Sequence, residues 1–370
     1  MPVPLLDLKA QHATIRDDVV AAAMGVVDSQ LFILGEAVVA LERSVAELSN
    51  TTHAIGCASG TDALLLALRA LDVGRGDEVI TTPFTFFATA GTIHNVGATP
   101  VFVDIEPDTF NVRPDAVAAA RTGQTKAVVP VDLFGQMAAL EEISAAVPGL
   151  PIIEDAAQSI GARRRVDGRW RMAGEVPTIG TFSFFPSKNL GGYGDGGMLV
   201  TQDDALDERL RRLRMHGGAK QYFHDEVGYN SRLDALQAAV LSAKLPHLAG
   251  WSAKRRQNAA YYDRAFADLS EVRTPVVRPE NESIFNQYTI RVPRRDALQA
   301  FLKERGIGTA IYYPLPLHLQ PCFAYLGYRE GQCPESERAA AEVLSLPIFP
   351  ELTESQLDEV VAGVRAFFGR

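Results

Sequence analysis

Short apolar runs rich in β-branched residues alternate with amphipathic segments between residues 54 and 202. Runs such as "DEVITTP", "TPVFVDI" and "KAVVPVDLF" have the length and composition of buried strands. Between most of them lie segments such as "TDALLLALRAL", in which apolar residues recur three and four positions apart. This alternation predicts an α/β fold, a three-layer sandwich in which helices cover both faces of a mostly parallel sheet.

Amphipathic helices are also predicted on both sides of this region. The segment "EAVVALERSVAEL" places on one helical stripe Val38, Leu41, Val45 and Leu48. In "NSRLDALQAAVLSAKLPHLAG", Ser231 and Asp234 have nearly the spacing of a capping box, and Pro246 is expected to end the helix.

The composition changes near residue 250, where a long polar helix leads into strand-like "NQYTIRVP" and the Pro- and Tyr-rich "IYYPLPLHLQP". A chain of 370 residues is long enough for two domains. We therefore predict a large α/β domain over residues 1–250 and a smaller C-terminal α+β domain over residues 251–370.

Charge and cysteine content narrow the class of protein. The formal net charge of -9 argues against a general nucleic-acid binder, which needs a basic surface. Two local basic clusters, at 209–214 and 162–165, are interpreted as solvated faces rather than anion sites. Three cysteines without a C-x-x-C pair, no signal-peptide pattern and no long apolar run predict a cytoplasmic protein that does not span a membrane.

Two predicted strand ends carry residues suited to binding a charged ligand. In "CASGTDALLLAL" a strand turns through Gly60 into a helix at Thr61, which is typical of a phosphate site and also of an ordinary capped turn. In "IIEDAAQSIGA" an apolar run ends at Glu154 and Asp155. A carboxylate there can hold a protonated ring nitrogen or a metal, or cap the next helix.

A third strand end, "TFSFFPSKNLGGYGDGG", places Lys188 between an apolar run and a cluster of glycines. A lysine in such a site loses proton affinity by desolvation, so its amine becomes a nucleophile toward a carbonyl carbon. The alternative is a structural lysine whose ammonium reaches water. Nearby, the aromatics of "TTPFTFFATA" would either stack on a flat ligand or pack in the core.

One ligand accounts for all of these features. Pyridoxal 5'-phosphate (PLP) needs a lysine for its aldehyde, a carboxylate for its pyridine nitrogen, a phosphate cup and a stacking ring. The seven histidines have no zinc-like spacing, and no P-loop or dinucleotide-binding glycine pattern follows a strand. We predict PLP as the cofactor and no metal.

The motifs "FILGEAV", "SGTDALLLAL", "TTPFTFFATA", "IIEDAAQSIGA", "FSFFPSKNLGGYGDGG", "VGYNSRLDALQAAVL" and "YYPLPLHLQ" occur in this order along the chain. With them, the sequence resembles the DegT-like family of PLP-dependent nucleotide-sugar aminotransferases, which have the type I aminotransferase fold. The resemblance makes Lys188 the residue that holds the cofactor aldehyde and Asp155 the partner of the ring nitrogen. Gln158 would lie against the ring oxygen, and Phe86 would stack on the ring. The phosphate would be held by Gly60, Thr61 and Ser183.

Further roles follow from the same resemblance. Family members are homodimers with active sites at the interface, so Asn230 would reach the phosphate in the neighbouring subunit. Arg232 would face the anionic part of the substrate, with Lys220 as a further candidate cation. The sugar pocket would be lined by Tyr312, Tyr313 and His318.

The implied reaction moves an amino group from L-glutamate to a keto group of a nucleotide-linked sugar, at C3 in preference to C4, for glycan or antibiotic biosynthesis. Related sugar 3-dehydratases have histidine in place of the lysine, so Lys188 disfavours that activity. The alternatives are an aminotransferase acting on a 4-keto sugar or a cyclitol, and a regulatory protein without catalytic activity.

Overall fold

A computed structural model describes residues 2–369. Within them the α-helices are α1 (Leu8–Ser29), α2 (Glu36–Leu48), α3 (Gly60–Ala70), α4 (Phe87–Asn95), α5 (Pro114–Ala120), α6 (Leu140–Ala146), α7 (Asp204–Leu213), α8 (Ala235–Lys244), α9 (Leu248–Phe266), α10 (Arg295–Glu304), α11 (Pro334–Glu342) and α12 (Glu354–Phe367). The strands are β1 (His53–Cys57), β2 (Glu78–Thr81), β3 (Thr99–Phe102), β4 (Thr125–Val129), β5 (Ile153–Asp155), β6 (Arg163–Val166), β7 (Arg169–Met172), β8 (Ile179–Ser183), β9 (Gly197–Thr201), β10 (Asn281–Glu282), β11 (Tyr288–Arg291) and β12 (Val343–Leu346).

Strands from two hydrogen-bonded groups form the central sheet. One group has the order β1-β9-β8-β5 and the other the order β3-β2-β4. Parallel bridges from Val128 to Ile152 and from Val131 to Asp155 join β4 to β5. Strand β9 is antiparallel to both neighbours, whereas the other pairs are parallel. The predicted mostly parallel sheet is confirmed.

Helices cover both faces of this sheet. Along β9, Met198 and Val200 pack in one apolar cluster together with residues of α2 and α8. Leu199, which points to the opposite face because side chains alternate along a strand, packs in a second cluster with α3 and α7. The predicted three-layer arrangement is therefore confirmed.

A second core lies in the C-terminal part of the chain. Strands β11 and β12 pair antiparallel and pack in one apolar cluster with α9, α10 and α12. Val3 joins the same cluster and forms a parallel bridge with Ile307. Residue 250 falls inside α9, and the division of the chain at that position stays a prediction.

The capping box predicted at Ser231 is wrong. Helix α8 begins at Ala235, and no side-chain hydrogen bond caps it at Asp234. The Ser231 hydroxyl instead donates to Asp62 Oδ2 at 2.7 Å and accepts from the Ala58 N–H at 3.3 Å, so it ties this segment to the start of α3. The predicted end near Pro246 is confirmed, because Pro246 lies in a short 3₁₀ turn between α8 and α9.

Candidate active site

The carboxyl ends of β1, β2, β4, β5 and β8 meet at one edge of the sheet because these strands run in the same direction. Asp155 ends β5 opposite Thr181 of β8, and Ser183 ends β8 two residues later. A methyl group built on Gly60 would lie 2.7 Å from Ser183 Cβ, so the turn after β1 touches the end of β8. The predicted site segments converge.

Lys188 lies partly buried in the turn that follows β8. Burial lowers the pKa of its ammonium from 10.5 to about 8, and the nearby Asp155 carboxylate opposes this effect. Within residues 2–369 its Nζ has no hydrogen-bond partner. Near neutral pH a fraction of the side chain is a free amine, which is the state that attacks a carbonyl carbon.

Asp155 is 5% exposed and fixed by two hydrogen bonds. Its Oδ2 accepts from the Thr89 hydroxyl at 2.8 Å, and its Oδ1 accepts from the Ala157 N–H at 3.3 Å. Burial raises the pKa of the carboxyl, and the bonds from Thr89 and Ala157 together with the charge of Lys188 oppose the increase. Such a carboxylate suits a protonated ring nitrogen as its counter-charge.

The neighbouring acid, Glu154, points to the other face of the sheet. It is fully buried beside Asp132 and accepts a 2.6 Å hydrogen bond from the Gly174 N–H. Burial and the Asp132 charge raise the pKa of Glu154 well above its ordinary value. Of the two acids in "IIEDAA", Asp155 is the one that lies near Lys188.

Gln158, Tyr313 and Phe86 lie beside these two charged groups. Gln158 Oε1 accepts from the Phe134 N–H at 2.7 Å, which leaves Nε2 to donate to the Tyr313 hydroxyl at 3.3 Å. Burial raises the pKa of Tyr313, with Asp155 adding to the increase, so the phenol keeps its proton. The Phe86 ring is 59% exposed and lies 6.4 Å from the Tyr313 ring, so it has a face available for stacking.

The turn after β1 fits a phosphate group. Ser59 caps α3 by accepting from the Asp62 N–H at 3.0 Å. The N–H groups of Gly60 and Thr61, in the first turn of the helix, have no intrahelical acceptor and remain for an anion. Ser183, in contact with Gly60, adds a hydroxyl. With the lysine, carboxylate and exposed ring, this donor set fits PLP.

Asn230 and Arg232 border a cleft of about 570 Å³ together with Ser59 and Gly194. The Asn230 side chain is exposed. Arg232 has no carboxylate partner in the described part of the chain, and its guanidinium approaches only the Met215 sulfur, at 3.9 Å. An unpaired guanidinium at a cleft is suited to binding an anionic substrate group.

The other residues predicted to bind the substrate are Tyr312, His318 and Lys220, and they have three different environments. Tyr312 is partly buried, and its ring lies 5.8 Å from that of Tyr313. His318 is 1% exposed, and its Nε2 lies 3.0 Å from Oε1 of the partly buried Glu337, so the contact with this carboxylate already occupies one nitrogen of the ring. Lys220 lies over the Phe223 ring at 4.9 Å, in an exposed loop.

The two basic clusters are mainly paired with acids. Arg209 contacts Asp72, Arg211 and Arg214 contact Glu42, and Arg164 contacts Glu141. Arg214 and Arg164 are both buried, so the interpretation of 209–214 and of 162–165 as solvated faces is wrong at these two residues. Within residues 2–369 no three His, Cys, Asp or Glu side chains are placed to hold a metal. Every described helix is too short or too polar to cross a membrane.

Sequence reasoning missed Thr89, although it fixes the carboxylate of Asp155. The Thr89 hydroxyl also lies 3.0 Å from that of Thr85, so two buried hydroxyls line up behind the carboxylate. A signal was present in "TTPFTFFATA", where these threonines are four positions apart among aromatics. Phe134 was also missed, and no sequence signal could show it because its backbone N–H makes the contact with Gln158.

Two curated relatives align over nearly the whole chain. The "Pleiotropic regulatory protein" of Geobacillus stearothermophilus is 54% identical, with 100% of this chain and 99% of that protein covered. The "UDP-N-acetyl-3-dehydro-alpha-D-glucosamine 3-aminotransferase" of Acidithiobacillus ferrooxidans is 46% identical, with 98% and 97% covered.

The solved structure of S. venezuelae DesV in complex with a ketimine intermediate superposes with a TM-score of 0.97 at 42% identity. The match covers 100% of this chain and 99% of that chain, and the predicted type I aminotransferase fold is confirmed. A ketimine is the adduct of an amine with a ketone, as expected of the aminated PLP cofactor. Together with the family match below, it supports PLP as the cofactor.

Residues 13–365 match the family described as "DegT/DnrJ/EryC1/StrS aminotransferase family". The matched range includes every candidate site residue, from Gly60 to His318. The chain belongs to the DegT/DnrJ/EryC1/StrS aminotransferase family.

Proposed function

We propose that this protein transfers an amino group from L-glutamate to the C3 keto group of a nucleotide-linked sugar. The observation that carries the proposal is the unpaired, partly buried Lys188 beside Asp155, on the same edge of the sheet as the turn at Gly60, whose free N–H groups suit a phosphate. A purely structural lysine has no need of this environment.

Each residue of the site has a stated task in this reaction. PLP, when bound, supplies an electron sink for the carbon that loses its proton. Lys188 would hold the aldehyde and, once released, take a proton from the donor Cα and return it, since a pKa of about 8 suits a general base near neutral pH. Asp155 would keep the ring nitrogen protonated, while Gly60, Thr61 and Ser183 would hold the phosphate.

The substrate class is supported by the cleft at Arg232 and by the names of relatives. An unpaired guanidinium beside Asn230 suits the diphosphate of a nucleotide sugar, although the whole chain is acidic. Among the relatives, the Acidithiobacillus ferrooxidans protein is named for amination at position 3 of a UDP-linked sugar. We favour C3 over C4 on this basis. Competition by UDP would separate a nucleotide-sugar enzyme, which it should inhibit, from a cyclitol enzyme.

A homodimer is part of the proposal. Val20, Met24 and Val27 form an exposed apolar stripe on α1 that continues to Leu31. Such a stripe is typical of a surface that a partner covers, and we propose a second copy of this chain, with Asn230 serving the partner's phosphate site. A cytoplasmic location stays a prediction, in keeping with three unpaired cysteines.

A regulatory protein is the second candidate, favoured by the name of the Geobacillus stearothermophilus relative. Lys188→Ala discriminates between the two functions. A pure binding role should survive this substitution, whereas transamination should fall by several orders of magnitude because the base and the covalent anchor are the same residue.

The first experiment is an absorbance spectrum of the purified protein with PLP, recorded before and after addition of L-glutamate. We expect a visible or near-ultraviolet cofactor band that glutamate shifts in the wild type, and a loss of this protein-specific band in Lys188→Ala. Absence of the band in the wild type after PLP addition would exclude the proposed role of Lys188.

A further inference from the structure

Arg255 of α9 is a buried cation without an ion-pair partner. It is 3% exposed, and no carboxylate of the described residues lies within ion-pair distance. Its Nη1 donates to the carbonyl oxygens of Phe285, Asn286 and Ile348 at 3.0, 3.3 and 2.8 Å. Burial lowers the pKa of Arg255 to about 10, against the attraction of Glu351. Carbonyl dipoles solvate this charge but do not neutralise it, which is an unusual state for a buried guanidinium.

The other two nitrogens of Arg255 are available to a ligand. Neither Nε nor Nη2 has a hydrogen-bond acceptor in the described chain. Both nitrogens nevertheless keep some solvent-accessible surface. Arg255 borders a cavity of about 90 Å³, which has the volume of roughly three water molecules. That volume suits a carboxylate with one or two methylene groups and is too small for a sugar ring or a nucleotide.

This cavity lies next to the lysine turn. Ser187, which directly precedes Lys188, borders it, as does Tyr312. On the other side of Lys188, Asn189 Oδ1 accepts a 2.7 Å hydrogen bond from Asn286 Nδ2, and the Asn286 carbonyl accepts from Arg255. Leu346 and Ile348 of the C-terminal core also border the cavity. The cavity thus joins that core to the residues that flank Lys188.

We infer that Arg255 binds a carboxylate of the amino donor, using Nε and Nη2 as a two-pronged donor while Nη1 stays anchored to the three carbonyls. The inference rests on the proposed aminotransferase function and deepens it by assigning a donor subsite. A guanidinium matches a carboxylate with two parallel, charge-assisted hydrogen bonds. The ligand class is an amino acid or another small carboxylate.

The test uses the PLP-loaded protein and two probes. L-Glutamate is titrated while the cofactor absorbance is followed, and binding of glutarate, which has no amine to transfer, is measured by calorimetry. Arg255→Gln should raise the half-saturating glutamate concentration and the glutarate Kd by about 10- to 100-fold, as expected for losing charge-assisted hydrogen bonds. PLP affinity should stay within threefold of wild type.

Arg256→Gln is the matched control. Arg256 is the next residue of the same helix, but it is partly exposed with its Nη1 3.4 Å from Glu282, and both constants should be unchanged by its substitution. Arg255→Lys is the second variant, for use if Arg255→Gln does not fold. It keeps the positive charge but loses the planar guanidinium that forms two parallel hydrogen bonds. Arg255→Lys should raise both constants severalfold, and a cooperative thermal unfolding transition shows that the variant is folded even though it loses the Nη1 contacts to the three carbonyls. Wild-type constants in either Arg255 variant would overturn the inference.

L-Alanine separates the two carboxylates of the donor, because it carries only the α-carboxylate. If Arg255→Gln weakens alanine and glutamate alike, the site binds the α-carboxylate; if it weakens glutamate alone, the site binds the side-chain carboxylate. Either result supports the inference. A wild-type cofactor band that does not respond to glutamate would defeat the proposed function, whereas failure of the wild type to bind glutarate would defeat the Arg255 subsite.

Discussion

Lys188 lies where burial disfavours its charged form. Lowering its pKa from 10.5 to about 8 costs the folded protein about 3 kcal/mol at pH 7, where the side chain is protonated in both the folded and unfolded states. Between pH 8 and 10.5 the folded state has lost this proton and the unfolded state has not, so the cost shrinks as the pH rises.

We therefore expect cofactor-free Lys188→Met to melt a few degrees above the wild type at pH 7, with the difference vanishing near pH 10.5. Differential scanning calorimetry of both proteins over this pH range measures it. A variant that melts below the wild type at pH 7 would show that Lys188 stabilises the apoprotein instead.

Thr89 acts on the same site through Asp155. Its 2.8 Å hydrogen bond favours the ionised carboxylate against burial. Thr89→Val removes the bond, so the pKa of Asp155 should rise further and the acid limb of the activity profile should move to higher pH. We expect the Kd for PLP, measured by fluorescence titration, to rise about tenfold.

Thr92→Val is the matched control, because the Thr92 hydroxyl is also buried in α4 but bonds only to backbone oxygens of Ala88 and Thr89. Thr92→Val should not shift the pH dependence of the activity. An equal shift in both variants would indicate a general disturbance of the helix instead of an effect on Asp155.

At the scale of elements, the contact between the β1–α3 turn and the end of β8 has no room for a side chain at position 60. In Gly60→Ala the new methyl group would lie 2.7 Å from Ser183 Cβ, so the two turns must separate. We expect a loss of about 1–3 kcal/mol in the free energy of unfolding, measured by urea denaturation.

Adding Ser183→Gly to Gly60→Ala removes the two closest atoms, Ser183 Cβ and Oγ, and should recover most of this stability. PLP affinity should remain low, since Ser183 is also a proposed phosphate ligand. If the double variant is no more stable than Gly60→Ala, the close approach of the two turns is not the cause of the loss.

Strand β5 carries two acids with different environments, Glu154 and Asp155. The raised pKa of Glu154 means that the folded state holds a proton which the unfolded state releases near pH 4.5. Stability from this residue therefore falls as the pH rises above that value. In Glu154→Gln this loss of stability with rising pH should be smaller. The variant should therefore be more stable than the wild type at pH 8 in a urea titration.

Glu175→Gln should behave in the opposite way. Against the effect of burial, hydrogen bonds from Arg171 and the Met172 N–H lower the pKa of Glu175, so its ionised form stabilises the fold at neutral pH. The variant should lose stability at pH 8. The same sign for both substitutions would contradict the assigned protonation of Glu154.

For the whole molecule, the sequence pattern is enough to predict the layers but not every direction or contact. The continuous apolar run in "GGMLVT" indicates a strand buried on both faces, but such a run is the same for a parallel and an antiparallel strand, so the reversed direction of β9 was not predictable. The hydroxyl of Ser231 bonds to Asp62, 169 positions away, which local capping rules do not include.

The residues of the proposed cofactor site were easier to predict from the sequence than the residues that hold them in position. Lys188, Asp155 and Gly60 each belong to a local motif at a strand end, and parallel strands bring such ends together. Thr89 and Arg255 act through partners far away in the sequence, and the Arg255 contacts are backbone carbonyls. A residue whose partner is a distant backbone atom leaves no pattern of residue types to read.

The exposed stripe on α1 provides the last prediction, at the scale of the assembly. Met24→Glu combined with Val27→Glu places two charges where the proposed dimer would bury apolar surface, and both residues are exposed in the single chain, so its fold should tolerate them. Analytical ultracentrifugation should show a dimer for the wild type and a monomer for the variant. Val176→Glu, at an exposed valine outside α1, is the control and should remain a dimer.

Dissociation should also weaken the active site if Asn230 serves the partner's phosphate. The monomeric variant should then bind PLP more weakly than the wild type, and Asn230→Ala in the dimer should reproduce much of this loss without dissociation. A variant that stays dimeric would show that the dimer interface does not include this stripe of α1. A monomer with wild-type PLP affinity would show that the phosphate site lies within one chain. Gly60, Thr61 and Ser183 would then be sufficient without Asn230 from a partner.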